Sequence, residues 1–577
     1  MTSKLPHRLL GTLAIAACVL AAYAGSMDGV FVFDDEIAIV KHESIGTLWP
    51  PSVPLTGPHE SPSSGRPLVS LSLALNFAFG GLDPRGYHAF NMVVHLLVSL
   101  LLWRVAQRLL LRMPAMGRRA RSLALASALI FAAHPLGTSV VTYISQRAES
   151  MMALFLLASL YCWIRQREDP PSRKWGVLAV LFCTLSMLCK EVGYATPLIA
   201  ALLDRAFYSA SWSELWRERK RLYVAMFSTW LVLLASLVFG ARGATVSWVY
   251  REYDSWTYLL TSARAILHYL SLLFWPSPLV IDYGWPIART FSEAWWQVAL
   301  LTCGLLGSVG CLNRRPKLAF AGLSFFIVLA PSSSVIPIVT EIMAEHRMYL
   351  PSTLVISVVV LGVYRLGNRL PGSVGRMLAL LAVVATLALS IRTTRIQNRL
   401  YTDALEMYAH NTLHSPDNYR AHYNLGYHLS AADRYPEALE SFAAALRIDP
   451  SFAPAYQATA YVACYQGNTS AALRYIDRAL ELKPLDAYNM TAKGSFLAIL
   501  NQPEAGMAWI EKALATEPGF SEALKWKVNV FLLAKRARAA DRALAVYDPA
   551  LTPEQRKREL QVRYRDLMQL VQANESP

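Results

Sequence analysis

Charged residues are scarce in this sequence. They make up 16% of its 577 residues, whereas about 25% is usual in soluble proteins. Hydrophobic residues reach 54%. This balance excludes a disordered protein and a single soluble domain, and it predicts that much of the chain faces lipid.

Cysteine is sparse as well. Six of the seven cysteines lie in or beside apolar segments, Cys464 stands alone in the polar half, and no CxxC or Cys/His metal spacing occurs. We therefore predict neither disulfide bonds nor a structural zinc site.

Acidic residues are few in the first 400 residues, which hold 20 Asp and Glu against 36 Lys and Arg. Residues 401–577 hold 20 Asp and Glu and 19 Lys and Arg. The basic excess therefore lies in the apolar half, mostly in short connections between apolar runs. This pattern is typical of loops held in the cytoplasm, and it argues against a nucleic-acid partner.

The apolar runs predict about eleven transmembrane helices. They fall roughly at 8–27, 88–110, 122–144, 148–165, 175–189, 192–208, 222–240, 294–312, 317–333, 350–366 and 375–392. Residues 256–276 are interpreted as a re-entrant or interfacial helix, and residues 67–80 as a helix along the outer surface. With the N-terminus in the cytoplasm, the C-terminal half lies outside. The first run also fits a signal peptide with an AxA cleavage site.

The C-terminal half carries an internal period of 34 residues. The positions that repeat are Pro450/Pro484/Pro518, Gly426/Ala460/Gly494 and Ala445/Ala479/Ala513. This is the tetratricopeptide (TPR) signature, with repeats at 419–452, 453–486 and 487–520. We predict a membrane domain over 1–399 and an extracytoplasmic α-solenoid over 400–577, whose groove binds a peptide or protein. A scaffold or folding cap without a ligand is the alternative.

Three acids follow the first apolar run directly, in the segment FVFDDEIAI at 31–39. Acidic side chains at the hydrocarbon boundary cost free energy unless they are hydrated or paired, so their presence also points to a function. Asp34, Asp35 and Glu36 are therefore candidates for a general base at the membrane surface, or for ligands of Mg²⁺ or Mn²⁺. The alternative is a solvated loop that ends the helix.

Further polar groups recur at the outer ends of the predicted spans, and each taken alone is an ordinary interface anchor. Convergent cations there suit a phosphate or pyrophosphate, and together with the acids they indicate transfer from a phospholipid-linked donor. The cations are Arg66, Arg147, Lys190 and Arg347. The other candidates are His88, His134, Glu149, Glu191, Asp282, His346 and Tyr349.

Several motifs resemble the transmembrane and tetratricopeptide-repeat family of O-mannosyltransferases, which belongs to the GT-C class of membrane glycosyltransferases. They are FDDE, GRPLVSLSLALNF, YHAFNMVVHLL, AAHPLGTSVVTYISQRAESMMALFLLASLY, LSMLCKEVGYATPL, WTYLLTSARAILHYLSLLFWPSPLVIDY and EHRMYLPS. They occur in the family's order, followed by the repeats, over nearly the whole chain. The resemblance implies an all-α GT-C helical core with an outer repeat domain.

The resemblance also implies roles. The donor would be a polyprenyl-phosphate sugar, the acceptor a protein Ser or Thr hydroxyl, and no metal or other cofactor would be required. Asp34 would be the base and Asp35 would orient it or the acceptor, while Arg147, Lys190 and Arg347 would neutralise the leaving phosphate. Anchoring the acidic pair at the membrane favours retention of the first span.

The chain departs from the eukaryotic members in its smaller number of repeats. We therefore expect a bacterial inner-membrane enzyme with a periplasmic site, or an ER enzyme with a lumenal site if it is eukaryotic. The sugar and the lipid carrier, undecaprenyl or dolichol, stay open. A GT-C transferase that modifies a lipid or polysaccharide, a non-catalytic membrane scaffold and a transporter are the competing hypotheses.

Overall fold

A computed structural model describes residues 4–57, 61, 63–168, 172–239, 254–333, 341–371 and 373–575. The described residues form helices and turns, and none of them lies in a β-strand. The chain divides into two compact units, one ending at Met407 and one beginning at Tyr408. The sequence-based boundary at 399/400 lies eight residues earlier.

The first unit is a bundle of apolar helices joined by short turns. Its α-helices are α1 (Lys4–Tyr23), α2 (Ser52–Leu55), α3 (Pro67–Gly80), α4 (Pro84–Leu111), α5 (Ala120–Ala133), α6 (Thr138–Val141), α7 (Arg147–Glu168), α8 (Arg173–Cys189), α9 (Ala195–Phe207), α10 (Trp212–Ser228), α11 (Trp230–Phe239), α12 (Ser255–Phe274), α13 (Trp295–Arg314), α14 (Pro316–Leu329), α15 (Tyr349–Gly367) and α16 (Val374–Leu400). The turns nearest the candidate site are Glu36–Val40, Ile144–Gln146, Glu191–Tyr194 and Glu345–Met348.

Seven helical stretches within the described residues are long and apolar enough to cross a membrane. They are His7–Asp28, Pro84–Leu111, Ile144–Glu168, Trp212–Val238, Trp295–Arg314, Glu345–Gly367 and Val374–Leu400. Each corresponds to one of the eleven predicted spans. The chain is therefore an all-α protein with several membrane-spanning helices.

The other predicted spans are shorter or broken. The run at 122–144 forms two helical stretches bent by 56° at His134, which make an eighth span if they are counted together. The runs at 175–189, 192–208 and 317–333 form α8, α9 and α14, which contain 17, 13 and 14 residues. Residues 256–276 form α12, one uninterrupted helix of 20 residues that is not among the seven.

Helix α7 lies at the centre of the first unit. In its apolar stretch 78% of the residues are buried, against 6% in α13 and 11% in α16. Small residues let its neighbours approach: the buried Ser159 hydroxyl donates a hydrogen bond of 2.7 Å to the carbonyl of Ala179 on α8. The segments that flank α7 are thereby fixed within the core.

The C-terminal ends of α4, α7 and α9 meet at one end of the bundle. Arg108 pairs with Glu168, and Arg167 lies 3.0 Å from the buried Asp204. These arginines belong to the connections that the charge pattern assigns to the cytoplasm. The N-terminal ends of α4 and α7 lie at the opposite end, with the acidic segment.

The second unit is a solenoid of paired helices. After α17 (Ala404–His414), which contains the boundary, the pairs are α18 (Tyr419–Ala431) with α19 (Tyr435–Ile448), α20 (Ala453–Tyr465) with α21 (Thr469–Leu482), α22 (Ala487–Ile499) with α23 (Pro503–Thr516) and α24 (Ser521–Leu533) with α25 (Ala537–Tyr547). The chain ends with α26 (Pro553–Glu575). At Gly494 a Cβ would lie 2.7 Å from the carbonyl oxygen of Gly506, which explains the small residue at this helix crossing.

The fourth pair, α24 and α25, was not predicted as a repeat. It begins 34 residues after α22, yet Val528, Tyr547 and Thr552 occupy the places where the earlier repeats have a small residue, alanine and proline. The repeat geometry therefore continues after its sequence signature ends.

Candidate active site

The acidic segment after α1 is held in a strained turn. Phe33 has a φ of 52°, in the left-handed region that residues other than glycine adopt at a cost, and a single π turn follows at Glu36–Val40. Asp35 is fully buried and accepts hydrogen bonds from the backbone N–H groups of Val32 at 3.2 Å and Ser145 at 2.7 Å. Asp35 therefore ties the turn to the residues that precede α7.

Asp34 points to a different set of partners. Its backbone N–H donates to the Tyr143 hydroxyl at 3.1 Å. Burial raises the pKa of Asp34 to about 6, while hydrogen bonding to Tyr143 and the charge of Arg66 act to lower it. Burial also raises the pKa of Asp35 to about 7, against its hydrogen bonds from the backbone of Ser145 and Val32. A carboxyl that titrates near neutrality suits a general base.

Two pairs of opposite charge lie beside this turn. The Lys190 Nζ lies 2.6 Å from Glu149 Oε1, and the two side chains are only 7% and 5% exposed. Arg66 donates through one nitrogen to both carboxylate oxygens of Glu191 at 3.3 Å. Burial lowers the pKa of Lys190, and the charge of Glu149 opposes that shift. The cations are therefore held in place by carboxylates before any ligand binds.

Arg347 brings a third cation from the turn before α15. Its guanidinium donates to the backbone carbonyls of Ser332 at 3.0 Å and Ile342 at 2.5 Å, and also to that of Glu341. The charges of Lys190, Arg347 and Arg66 all act on His346. Residues from four separate segments thus gather at one place.

Arg147 is fully buried and holds α7 against α3 and α4. Its guanidinium donates to Asn76 Oδ1 at 2.7 Å, to the Ser72 hydroxyl at 3.3 Å and to the Tyr87 carbonyl at 3.3 Å. It also lies 4.6 Å from the centre of the Phe90 ring. Its surroundings are those of a positioning residue, and its contact with a donor phosphate stays a prediction.

The predicted histidines connect helices around the site. His88 hydrogen-bonds with the Gly29 carbonyl at 3.2 Å, and a Cβ at Gly29 would lie 2.7 Å from the ring, so this contact fixes the chain ahead of the acidic turn. His134 hydrogen-bonds with the Leu273 carbonyl at 3.0 Å at the end of α12. The Tyr349 hydroxyl and His95 Nδ1 share a hydrogen bond of 2.7 Å inside the bundle.

The remaining predicted acids have local partners. Asp282 accepts from the backbone N–H of Gly284 at 3.0 Å, as expected of a turn residue. Glu36 pairs with Lys41 at 2.8 Å on the surface. Within the parts of the chain that the structure describes, no three His, Cys, Asp or Glu side chains converge as a metal would require.

Two residues of this site were not singled out from the sequence. Tyr143 touches Asp34, and the charges of Asp34, Asp35 and Glu341 all act on it. The charge of Glu341 also acts on Arg347. Tyr143 lies in the motif TYISQR, four residues before Arg147, so its position near a candidate cation was the available signal.

A family model of the tetratricopeptide repeat matches residues 394–451 and 458–521, a range that begins in the last helix of the first unit and continues through the solenoid. Among solved structures, the crystal structure of YrrB, a TPR protein with an unusual peptide-binding site, has 17% sequence identity. That match covers 30% of this chain and 94% of that one, with a TM-score of 0.23.

Curated relatives match the larger part of the chain. Protein O-mannosyl-transferase F38B6.6 of Caenorhabditis elegans is 25% identical over 76% of this chain and 63% of its own length. Protein O-mannosyl-transferase TMTC4 of Homo sapiens is 27% identical over 72% of this chain and 63% of its own. Protein O-mannosyl-transferase Tmtc2 of Drosophila melanogaster is 30% identical over 48% of this chain and 31% of its own length. The chain spans less than two thirds of the length of each of these relatives.

Proposed function

We propose that this chain, a TPR-containing relative of the protein O-mannosyl-transferases, is an integral membrane glycosyltransferase. It transfers a sugar, with mannose as the first candidate, from a polyprenyl-phosphate donor to Ser or Thr hydroxyls of proteins. The observation behind this proposal is the gathering of Asp34, whose pKa is raised to about 6, with Arg66, Lys190 and Arg347 at one end of an apolar helix bundle.

The acids and the cations have separate tasks in the proposed reaction. The Asp34 carboxylate accepts the proton of the acceptor hydroxyl as the hydroxyl oxygen attacks the anomeric carbon of the donor. The bond between that carbon and the phosphate oxygen breaks on the opposite face, so the anomeric configuration inverts. The polyprenyl phosphate leaves with the electron pair of the broken bond.

Charge development explains why cations are needed. The sugar passes through an oxocarbenium-like transition state while negative charge grows on the phosphate. Lys190, Arg347 and Arg66 are fixed by carboxylates or carbonyls, so they can meet this charge without rearranging first. The charges of all three cations act on His346, and in this proposal its imidazole hydrogen-bonds a phosphate oxygen.

Asp35 and Tyr143 act through Asp34. Asp35 holds the turn against the segment before α7 through two backbone hydrogen bonds. The Tyr143 hydroxyl fixes the backbone of Asp34 and stabilises its ionised side chain. Both are therefore positioning residues in this proposal.

In this proposal the solenoid binds the acceptor protein and recruits it to the site. TPR units bind peptides or proteins along the surface formed by the first helix of each pair. Tyr427 and Tyr461 recur there with the 34-residue spacing, and Tyr427 is 43% exposed. Tyr461 is half-buried against the rings of Tyr488 and Phe496, so Tyr427 is the exposed member of this pair and suits contact with an extended polypeptide.

The charge pattern supports an orientation. The basic ends of α4, α7 and α9 face the cytoplasm, so the acidic turn faces the periplasm or, in a eukaryotic cell, the ER lumen. In the proposed orientation, the site lies where lipid-linked sugars and exported proteins meet.

The proposal is tested by reconstitution. Full-length protein in liposomes receives undecaprenyl-phosphate mannose labelled in the sugar, together with an exported protein rich in Ser and Thr. We expect label on the protein with the wild type, and a loss of at least about 100-fold with Asp34→Asn, the lower range for removal of a general base.

The control is Asp28→Asn, which changes an exposed acid six residues earlier and should leave transfer intact. Label on a lipid or polysaccharide instead of protein would show that the acceptor is not a protein. Equal transfer by Asp34→Asn and wild type would contradict the assigned base, and no transfer to any acceptor would favour the scaffold hypothesis.

A further inference from the structure

A second feature lies away from the candidate active site: an apolar cavity of about 720 Å³ between α4, α7, α9, α14 and α15. Its walls are mostly leucine, valine, phenylalanine and alanine, and its volume is within the range of small-molecule sites. Leu156, Val328 and Leu350, each at most 5% exposed, form its inner end. None of the acids or cations of the candidate active site lines it.

Basic side chains surround the outer end of this cavity. Arg314, Arg315 and Lys317 come from the turn between α13 and α14, and Arg365 comes from the last turn of α15. The cavity lining contains no Asp or Glu. Among the residues that the structure describes, none of these four side chains forms an ion pair or a hydrogen bond, and Lys317 lies 5.6 Å from the centre of the Phe207 ring. No carboxylate of the described residues therefore neutralises their charge, which is available to an anionic ligand.

The cavity opens at the end of the bundle opposite the candidate active site. Helix α15 begins beside Arg347 and contains 19 residues, which give it a length of about 28 Å. That length is close to the hydrocarbon thickness of a bilayer. Arg205 at the end of α9 donates to the Asn313 carbonyl, which joins the mouth of the cavity to the basic ends of the other helices.

We propose that this cavity binds the acyl chains of an anionic glycerophospholipid, with its phosphate between Arg314, Arg315, Lys317 and Arg365. Basic pockets between transmembrane helices are known to take anionic headgroups on the cytoplasmic side. The cavity is continuous with the cations at its mouth, so one molecule meets both. This site goes beyond the proposed transfer reaction and does not depend on it.

The geometry favours a phospholipid over the glycosyl donor. The phosphate of a donor must reach Lys190 and Arg347, which lie at the other end of α15. A lipid whose phosphate meets Arg365 has its headgroup in the opposite leaflet. Such a lipid would fill the space between α7 and α15, the two helices that carry the candidate active-site cations Arg147 and Arg347 at or beside their N-terminal ends.

Native mass spectrometry of the full chain in detergent tests this assignment. The probes are dioleoyl phosphatidylglycerol, dioleoyl phosphatidylcholine and undecaprenyl phosphate. We expect wild-type protein to retain one phosphatidylglycerol in preference to phosphatidylcholine. The double variant Arg315→Gln/Arg365→Gln should bind phosphatidylglycerol about 30-fold more weakly, since each basic side chain near an anionic headgroup contributes about 1 kcal/mol.

A second variant checks the cavity itself. Gly362 lines it, and a Cβ there meets nothing within 4 Å, so Gly362→Leu fills space without displacing the backbone. It should also lose the retained lipid. Arg118→Gln/Arg119→Gln neutralises two exposed arginines of the connection before α5, which do not line the cavity, and should retain it.

Three results would overturn the proposal. They are equal retention of phosphatidylglycerol and phosphatidylcholine by the wild type, unchanged retention in both the Arg315/Arg365 and Gly362 variants, and displacement of phosphatidylglycerol by undecaprenyl phosphate. The last result would assign the cavity to the donor. Elution of each variant at the wild-type volume in gel filtration, with an unchanged melting temperature, shows that a loss of lipid does not reflect misfolding.

Discussion

Tyr143→Phe should shift the pH dependence of transfer and leave the alkaline rate close to that of the wild type. The substitution removes only the hydroxyl that accepts the Asp34 backbone N–H at 3.1 Å and that lowers the pKa of the Asp34 carboxyl. Asp34 acts as a base in its ionised form. The rate therefore rises with pH through the pKa of this residue, and any increase in that pKa moves the rise to higher pH.

The size of the shift follows from the contacts of Asp34. With a pKa of about 6, about a tenth of the wild-type Asp34 is ionised at pH 5 and about nine tenths at pH 7. A hydrogen bond to a charged group contributes about 1.5–3 kcal/mol, and 1.36 kcal/mol corresponds to one pKa unit. Tyr143→Phe should thus place the rise in rate about one to two pH units above that of the wild type.

The assay is kcat/KM for mannosyl transfer in liposomes from pH 5 to pH 9. At pH 6 the variant should be about five- to fiftyfold slower than the wild type, and at pH 9 the two should nearly coincide. Tyr223→Phe is the matched control, because its hydroxyl donates to Asp204 at the other end of the bundle. Its profile should follow that of the wild type.

A loss of rate that is the same at every pH would contradict the predicted shift. It would mean that Tyr143 supports the fold of the turn without tuning the carboxyl of Asp34. An unchanged profile in Tyr143→Phe would show that the Tyr143 hydroxyl does not set the pKa of the group whose ionisation limits transfer.

Three further predictions concern the cations and the expected independence from metal ions. Glu149→Gln should destabilise the protein by about 3–5 kcal/mol, because it leaves the buried charge of Lys190 uncompensated. In a thermal unfolding assay, Glu149→Gln/Lys190→Met should recover much of this loss, and no recovery would contradict the paired arrangement. Arg347→Lys should lower the transfer rate about tenfold or more, because an ammonium cannot reproduce a fork that meets three carbonyls; a rate equal to that of the wild type would argue that only charge matters. Treatment with EDTA should leave the transfer rate unchanged, and recovery of a lost rate by added Mg²⁺ or Mn²⁺ would contradict this.

The sequence was sufficient to predict the all-α fold and the repeat register. The 34-residue spacing of Pro450, Pro484 and Pro518 marks the ends of three helix pairs, because proline cannot continue a helix. The fourth pair escaped prediction because its fold depends on packing around Val528 and Leu544, not on the small residues of the signature. Apolar runs also could not distinguish a full span from α9, whose 13 residues end at a polar turn.

The candidate site was only partly predictable. Charge type singled out Asp34, Arg66, Lys190 and Arg347 as candidates, since charged residues beside apolar runs are unusual. The sequence pattern alone could not show that the Arg147 guanidinium donates hydrogen bonds to Asn76 and the neighbouring polar groups, because that contact depends on how α3 packs. Tyr143 was missed for a similar reason, because a tyrosine becomes important only through the carboxyl that it faces.

We propose above all that this chain glycosylates proteins through Asp34. The most direct measurement is glycoproteomics of the extracytoplasmic proteins from cells that express the wild type or Asp34→Asn at equal levels. We predict that a hexose mass on Ser or Thr peptides is present with the wild type and lost with Asp34→Asn, which would name both the sugar and the acceptor. The same glycopeptides in both samples would show that protein glycosylation does not depend on Asp34.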